Sequence, residues 1–551
     1  MKKTDKVTEA LRRSASDVEN HVIDEFLAGR IDRRSFLQRG SVLGMAAPLI
    51  GGIAGAVGAL PIHSARAAAG GTVRVAILVP AGAVDPVTTG DVGGLCLLMQ
   101  TGEFLAIDGP DLRLRPCLAE SWSPNKDGTV WTFKLRQGVK FHNGQAMTAD
   151  DVVATIDRLA NPKNASNALS AFKGVLKVGN TKKVDDYTVA FHLDAPNGNF
   201  PYYVSSDNYN CIILPKDYNG GYDKTFIGTG PFKFDKYTAK VGASFVRNDA
   251  YWGKKALPDR TEFTFYADLQ SQVLALQGRQ VDLIVQIAVQ GSQALLHDPS
   301  YAILSLKGSG HEQLHMRNDM GHFKDKRVRR AVALTLNRPN LVRGLFQGRA
   351  SLGNDSPFAP VFPSTNKTVP QRHEDLRQAK QLLEAAGVGK GFPVTLTTEK
   401  YIEIPDYAVL VQNFAKQVGI DITLKVESQS AYYGKAVFGQ SDWLDSEMGI
   451  TDYGHRGVPN VFLAAPLLSG GTWNAAHFKN PAYDKLVADY VGALDLQSQQ
   501  AVSGKIETLL LDETPIIFGY FYNQLCVTVK NLKGVQPTAI SQVFLAGAHF
   551  A

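Results

Sequence analysis

The chain has 551 residues, 44% of them hydrophobic and 20% charged, an ordinary globular composition that excludes a disordered or fibrous protein. Of its 58 Lys/Arg and 52 Asp/Glu, ten and seven fall within residues 1–67, so the remainder is nearly neutral and evenly spread, which excludes a nucleic-acid footprint. At roughly 150 residues per domain the length implies several domains or one multi-lobed body, and after residue 70 no run reaches the about 20 apolar residues needed to span a bilayer.

The first element is an address. Asp32-Arg33-Arg34-Ser35-Phe36-Leu37 precedes Gly40–Ile62, which carries no charge, and Ala65-Arg66-Ala67 follows. Paired arginines, a modest apolar stretch and an A-x-A site are similar to a twin-arginine signal peptide with Ala67 as the last residue removed. The stretch is long enough to be an anchor, but its six Gly and two Pro argue against a spanning helix. The first cysteine is Cys96, well beyond this region, so no lipidated cysteine tethers the mature N-terminus. A periplasmic location, reached by the twin-arginine route, is expected.

Thr72-Val-Arg-Val-Ala-Ile-Leu-Val79 alternates and then turns apolar, as an entering strand does. Val130-Trp-Thr-Phe-Lys-Leu-Arg136 alternates after an Asp127-Gly128 turn, which predicts a half-buried hairpin strand. Thr148 opens a helix with acids in its first turn and Val152, Ile156 and Leu159 on one face. Further helices are predicted at 325–337, 377–386 (ended by Gly387), 407–418 (ended by Gly419) and 481–494. Strands follow both glycines, at 393–398 and 421–426, so the later half reads as an α/β lobe with crossover connections. Cys96, Cys117, Cys211 and Cys526 lack CxxC spacing, which excludes a zinc ribbon and leaves two disulfides with three pairings open.

Several runs in this order resemble the family 5 extracellular solute-binding proteins of ABC transporters, the peptide/nickel, dipeptide- and oligopeptide-binding type. They are Pro116-Cys-Leu-Ala-Glu-Ser-Trp122, Asp127–Gly144, Thr148-Ala-Asp-Asp-Val152, Gly228-Thr-Gly-Pro-Phe232, Arg247-Asn-Asp-Ala-Tyr-Trp-Gly253, Lys326–Val332 and Ala379–Gly387. Locally, Trp122, Trp131 and Phe133 read as core, and Gly228, Gly230 and Pro231 as a chain reversal. The resemblance implies an α/β fold of the periplasmic-binding-protein type II, a flytrap with two ligand-gripping lobes and an extra inserted lobe. Its expected boundaries are a signal at 1–67, lobe I at 68–105, 229–312 and 516–551, the inserted lobe II at 106–228, and lobe III at 313–515. Closure on a small solute, a short peptide or amino-acid conjugate, would be hinge motion read by the permease subunits of the importer. The resemblance implies a monomer that does no covalent chemistry and needs no cofactor or nucleic acid.

Peptide-binding relatives place a carboxylate for the ligand's α-ammonium in a loop after a late strand. The matching run is Met448–Asn460, and Asp452 is its best anion, with Tyr453 beside it. The family's Gly-Asp-Pro is here Gly457-Val458-Pro459, so an acid is missing, while His455 and Arg456 give the loop a cationic character suited to an acidic solute. Lys400 and Tyr401, after a strand, align with a cleft-lining segment, and Trp473 is positioned to stack on ligand or pack under its own loop.

One motif argues for a different class. His311-Glu312-Gln313-Leu314-His315 matches the zinc-protease pattern, which needs a helix to put both imidazoles on one face beside the glutamate. Gly308-Ser-Gly310 before it and Asn318-Asp-Met-Gly321 after it leave no room for that helix. As a strand, the run would put His311, Gln313 and His315 on one face and Glu312 and Leu314 on the other. A zinc-dependent periplasmic hydrolase using His311, Glu312 and His315 is the alternative.

Overall fold

The structure, a computed structural model, describes residues 16–28, 30–31, 35–36 and 70–551. Arg33, Arg34 and Ala67 lie outside the described residues.

Two sheets organise the chain. The larger has seven strands in the order Tyr301–Leu306, Gln524–Val529, Leu283–Ile287, Thr72–Leu78, Arg260–Tyr266, Gly242–Arg247 and Phe232–Thr238. The entering strand Thr72–Leu78 is parallel to both of its neighbours, and its Val73, Val75 and Ile77 are buried. A smaller four-stranded antiparallel sheet, built from Ala119–Pro124, Val130–Leu135, Thr188–His192 and Thr181–Asp185, belongs to the inserted segment. Trp131 and Phe133 are buried there and Trp122 stacks on Phe133 at 5.8 Å, so the aromatic residues of the hairpin are core. They share one hydrophobic cluster with Val75 and Phe263 of the larger sheet, so the insertion is welded to its host by a continuous core. The insertion ends where it began: Gly230 N–H donates to Thr101 O at 2.9 Å, and a Cβ on Gly228 would lie 1.9 Å from that same carbonyl. Gly228 is needed for this close approach of backbone to backbone rather than for an unusual φ.

The second sheet has five strands in the order Ile420–Glu427, Phe392–Glu399, Met448–Tyr453, His311–Met316 and Ile516–Phe518. The helices Leu376–Ala385 and Ile404–Lys416 each end before a glycine at positive φ, Gly387 at +79° and Gly419 at +89°, and a strand follows each. Phe392–Glu399 and Ile420–Glu427 pair in parallel, with Ile404–Lys416 as the crossover helix between them. Opposite, the helix Lys326–Thr335 is capped by Asp325, whose carboxylate accepts Arg327 N–H at 2.8 Å. Arg338 and Arg372 both pair at 2.6 Å with the fully buried Asp355, which also accepts Phe518 N–H. The Asp355 carboxylate is thus paired on both sides in the interior, where removing one partner of a buried pair typically costs 3–5 kcal/mol.

Among the described residues two segments join the sheets: 307–310 and 519–523. They run side by side, with Tyr522 N–H donating to Gly310 O at 2.9 Å, and a Cβ on Gly310 would lie 2.5 Å from the Tyr522 ring. The strand His311–Met316 is bonded along its length within the second sheet, so a boundary between 312 and 313 falls inside a strand. Likewise Ile516–Phe518, expected in lobe I, pairs in the second sheet.

All four cysteines are buried and free, and none is joined in a disulfide.

Candidate ligand-binding site

Where the crossing segments enter the second sheet, side chains of four strands and one helix entrance converge. Asp452 is not in a loop, as the motif led one to expect, but inside the strand Met448–Tyr453. In the antiparallel register it stands directly opposite Glu312, so the two carboxylates share a face with their Cβ atoms about 5 Å apart. Asp452 Oδ1 accepts from the Tyr522 hydroxyl at 2.9 Å, and its own N–H faces Glu399 Oε1 at 3.5 Å. Glu399, fully buried, accepts at 2.6 Å from Tyr433 and from Gln429. Glu403, just before the helix Ile404–Lys416, completes the group within hydrogen-bonding reach of Glu312. Glu312 is 3% exposed, and its Oε2 has no hydrogen-bond partner.

Burial dominates the electrostatics here. It pushes Asp452 up to about 7; Glu399 and Glu403 add to the rise, while Tyr522 and the Arg456 guanidinium oppose it. Burial, then Glu403 and Asp452, hold Glu312 well above the carboxylate range, and burial raises Glu403 as well. Desolvation and the same carboxylates push Tyr401 up to about 12. Burial thus favours the protonated form of these carboxyls.

The candidates separate by strand alternation. Tyr401 is 37% exposed at the pocket's edge, with Lys400 exposed beside it. Tyr453, next to Asp452, points to the opposite face and is buried, its ring parallel to His311 at 5.7 Å. Trp473 packs behind that face, 6.0 Å from Tyr453 and 6.3 Å from Trp443. Arg456 is exposed; its Nη1 donates to the His455 carbonyl at 2.9 Å, and its backbone N–H donates to Ser309 on the first crossing segment. Glu312, Glu399, Glu403, Tyr520 and Tyr522 were not singled out as binding residues. The alternating strand reading of 311–315, which set Glu312 apart from both histidines, was the available signal.

A second carboxylate pair lies beside the same crossing. Asp108, Asp207 and His455 bring ligand-type atoms within 4.8 Å of one another. His455 Nδ1 accepts Ser309 N–H at 2.9 Å, so the neutral ring carries its proton on Nε2 and has no lone pair left for a metal. Asp207 accepts Gly457 N–H at 2.6 Å, a direct link between the two halves of the molecule.

The zinc-protease reading fails on geometry. His311–Met316 is a strand, so its two histidines lie about 13 Å apart along the chain, and Glu312 faces the other way. Both imidazoles are buried and pushed down to about 4 by desolvation. His311 Nδ1 bonds Ser309 O at 2.7 Å, and Gln313 Nε2 reaches its Nε2 at 3.1 Å; His315 Nε2 bonds Ser446 O at 3.3 Å. These rings are structural.

Two α/β bodies joined by paired crossing segments, with polar side chains gathered where the bodies meet, define a periplasmic-binding-protein type II fold that takes small solutes. Residues 113–471 match the bacterial extracellular solute-binding proteins, family 5 (middle region), and the chain belongs to that family. Heme-binding protein A of Haemophilus influenzae is 26% identical over 434 residues, 73% of this chain and 78% of that protein. The dipeptide-binding protein DppE of Bacillus subtilis is 27% identical over 483 residues, 80% of this chain and 84% of its own. Among solved structures, HbpA2 from Haemophilus parasuis superposes with a TM-score of 0.77 at 23% identity, over 87% of this chain and 100% of that one. The unliganded open form of the murein tripeptide binding protein MppA gives 0.76 at 21% identity, over 87% and 97%.

The raised Asp452 has a consequence for stability. A carboxyl that holds its proton more tightly folded than unfolded loses stability as pH rises from about 4 through 7. Asp452→Asn removes the buried charge and retains an acceptor for Tyr522. The ligand-free variant should therefore be more stable than the parent at pH 8, by about 1–3 kcal/mol, with the advantage shrinking toward pH 4. Denaturant unfolding at both pH values checks this; a variant equally destabilised at both would contradict it.

Proposed function

We propose that this chain is the extracytoplasmic receptor of an ABC importer for a short peptide or peptide-like solute bearing an ammonium group, which Asp452 receives as the two lobes close. The observation that carries the reading is Asp452 itself, a mostly buried carboxylate whose hydrogen-bond partner is a neutral tyrosine and which no lysine or arginine pairs among the described residues. A cation entering this pocket replaces the missing counter-charge, and such a charge-assisted contact strengthens as water leaves. Relatives named for binding dipeptides support the same solute class. On this reading the protein is a monomer that binds without covalent chemistry and hands the solute to the membrane subunits. Lobe I and lobe III meet at the crossing segments 307–310 and 519–523, which serve as the hinge, and residues 106–228 stay fixed to lobe I. Lys400 and Tyr401 flank the entrance, Arg456 meets the solute's acidic end, and Tyr453 and Trp473 support the strand from behind. Arg33, Arg34 and Ala67 direct and end a twin-arginine signal; Arg33→Lys with Arg34→Lys should leave precursor in the cytoplasm, and unchanged export would refute that route.

The test is to denature protein purified from its native periplasm, identify the released solute by mass spectrometry, and titrate it back calorimetrically. Asp452→Asn should weaken binding about 30-fold or more, since stranding a buried ammonium costs roughly 2–5 kcal/mol. Affinity of the parent should fall as pH drops below about 7, because protonation neutralises Asp452. Equal affinities of parent and variant, or an anionic solute, would move the site to Arg456.

A further inference from the structure

One monocationic group satisfies Asp452 but leaves the rest of the pocket unexplained. Glu312 is 3% exposed, its Oε2 makes no close hydrogen bond, and its neighbours are the Tyr520 hydroxyl and a second carboxylate, Glu403. The Tyr407 hydroxyl, also buried, lacks a partner, and the Tyr520 hydroxyl has Glu312 as its neighbouring acceptor. The strand that carries Glu312 adds no charge on that face, the neighbouring strand offers Asp452, and the segment before helix Ile404–Lys416 offers Tyr401 and Glu403. That helix offers Tyr407, the second crossing offers Tyr520 and Tyr522, and Glu399 is already spent on Tyr433 and Gln429. Two positive groups bear on this surround, Arg456 on Asp452 and Arg338 on Tyr407, and neither forms an ion pair with Glu312. Buried polar atoms are almost always paired, and an unpaired acceptor between two acids is a place for a donor.

We propose that Glu312 and Glu403 form a second cation subsite beside Asp452, so that the solute carries two positive groups: an α-ammonium at Asp452 and a side-chain ammonium or guanidinium between Glu312 and Glu403. The inference rests on the reading of Asp452 as the ammonium partner and narrows the solute to a basic one. Cross-strand neighbours about 5 Å apart at Cβ suit two charges on one short molecule. Without solute, a proton shared by Glu312 and Glu403 does the same work, in keeping with the raised affinity of both carboxyls for protons. Arrival of the second cation releases that proton to solvent.

The experiment compares lysyl-alanine with norleucyl-alanine, which lacks only the side-chain ammonium, by calorimetric titration of the purified protein at pH 7. The parent should prefer lysyl-alanine by about 30-fold, a margin of roughly 2 kcal/mol, and Glu312→Gln should reduce the preference to within about threefold. Glu403→Gln is the companion variant should Glu312→Gln not fold, with the same collapse of preference expected. Measurable but equal binding of the two dipeptides by the parent would overturn the second subsite and leave the Asp452 reading standing. Binding of neither would overturn both, and a preference that survives either variant would overturn the assignment to this pair.

Discussion

Carboxylates buried side by side without a cation are the constraint around which this molecule is arranged. Glu312 and Asp452 stand opposite one another in an antiparallel pair, a position where like charges destabilise, and Glu403 adds a third at the mouth of a helix. An isolated buried charge is costly enough that the group keeps its proton instead. The elevated proton affinities of Asp452 and Glu312 are that response. Elsewhere the chain does give a buried carboxylate its cations, as Asp355 has Arg338 and Arg372. The unpaired acids are thus a local feature of the cleft.

The fold explains why these acids meet at this place. His311–Met316 follows directly from one crossing segment, and Tyr520–Tyr522 forms part of the other. A side chain on either is therefore coupled to the relative placement of the two bodies. Asp452 reports to both: through Tyr522 it is tied to the second crossing, and three residues on, His455 and Arg456 are bonded to Ser309 on the first. Asp207 and Gly457 add a direct contact between the halves. A change of charge on this cluster is therefore felt by both crossing segments, which gives the proposed solute a physical route to the placement of the two bodies.

Much of the architecture was legible in the chain. Glycines closing amphipathic helices announced the parallel strands at 392–399 and 420–427, and Gly308-Ser-Gly310 argued correctly against a helix at 311–315, which the family resemblance made a strand. The insertion of one lobe into another came from resemblance, and the core shared by insertion and host was not foreseen, since it depends on packing between distant segments. In the site, Asp452 was found by motif but placed in a loop. The alternation that separates it from Tyr453 exists only because Met448–Tyr453 is a strand. Glu403 and Tyr522 escaped notice because only the register of 311–316 against 448–453, together with the return of the chain through 519–523, brings them to Asp452. No local pattern encodes that meeting.

The central claim is that a cation takes over from protons held by buried carboxylates. It is tested most directly by measuring the binding enthalpy of the native solute at pH 7 in a series of buffers with different heats of ionisation, whose slope counts protons exchanged. The account predicts release of about one proton or more per solute bound, decreasing as pH is raised above 8. A slope of zero, or net proton uptake, would contradict it.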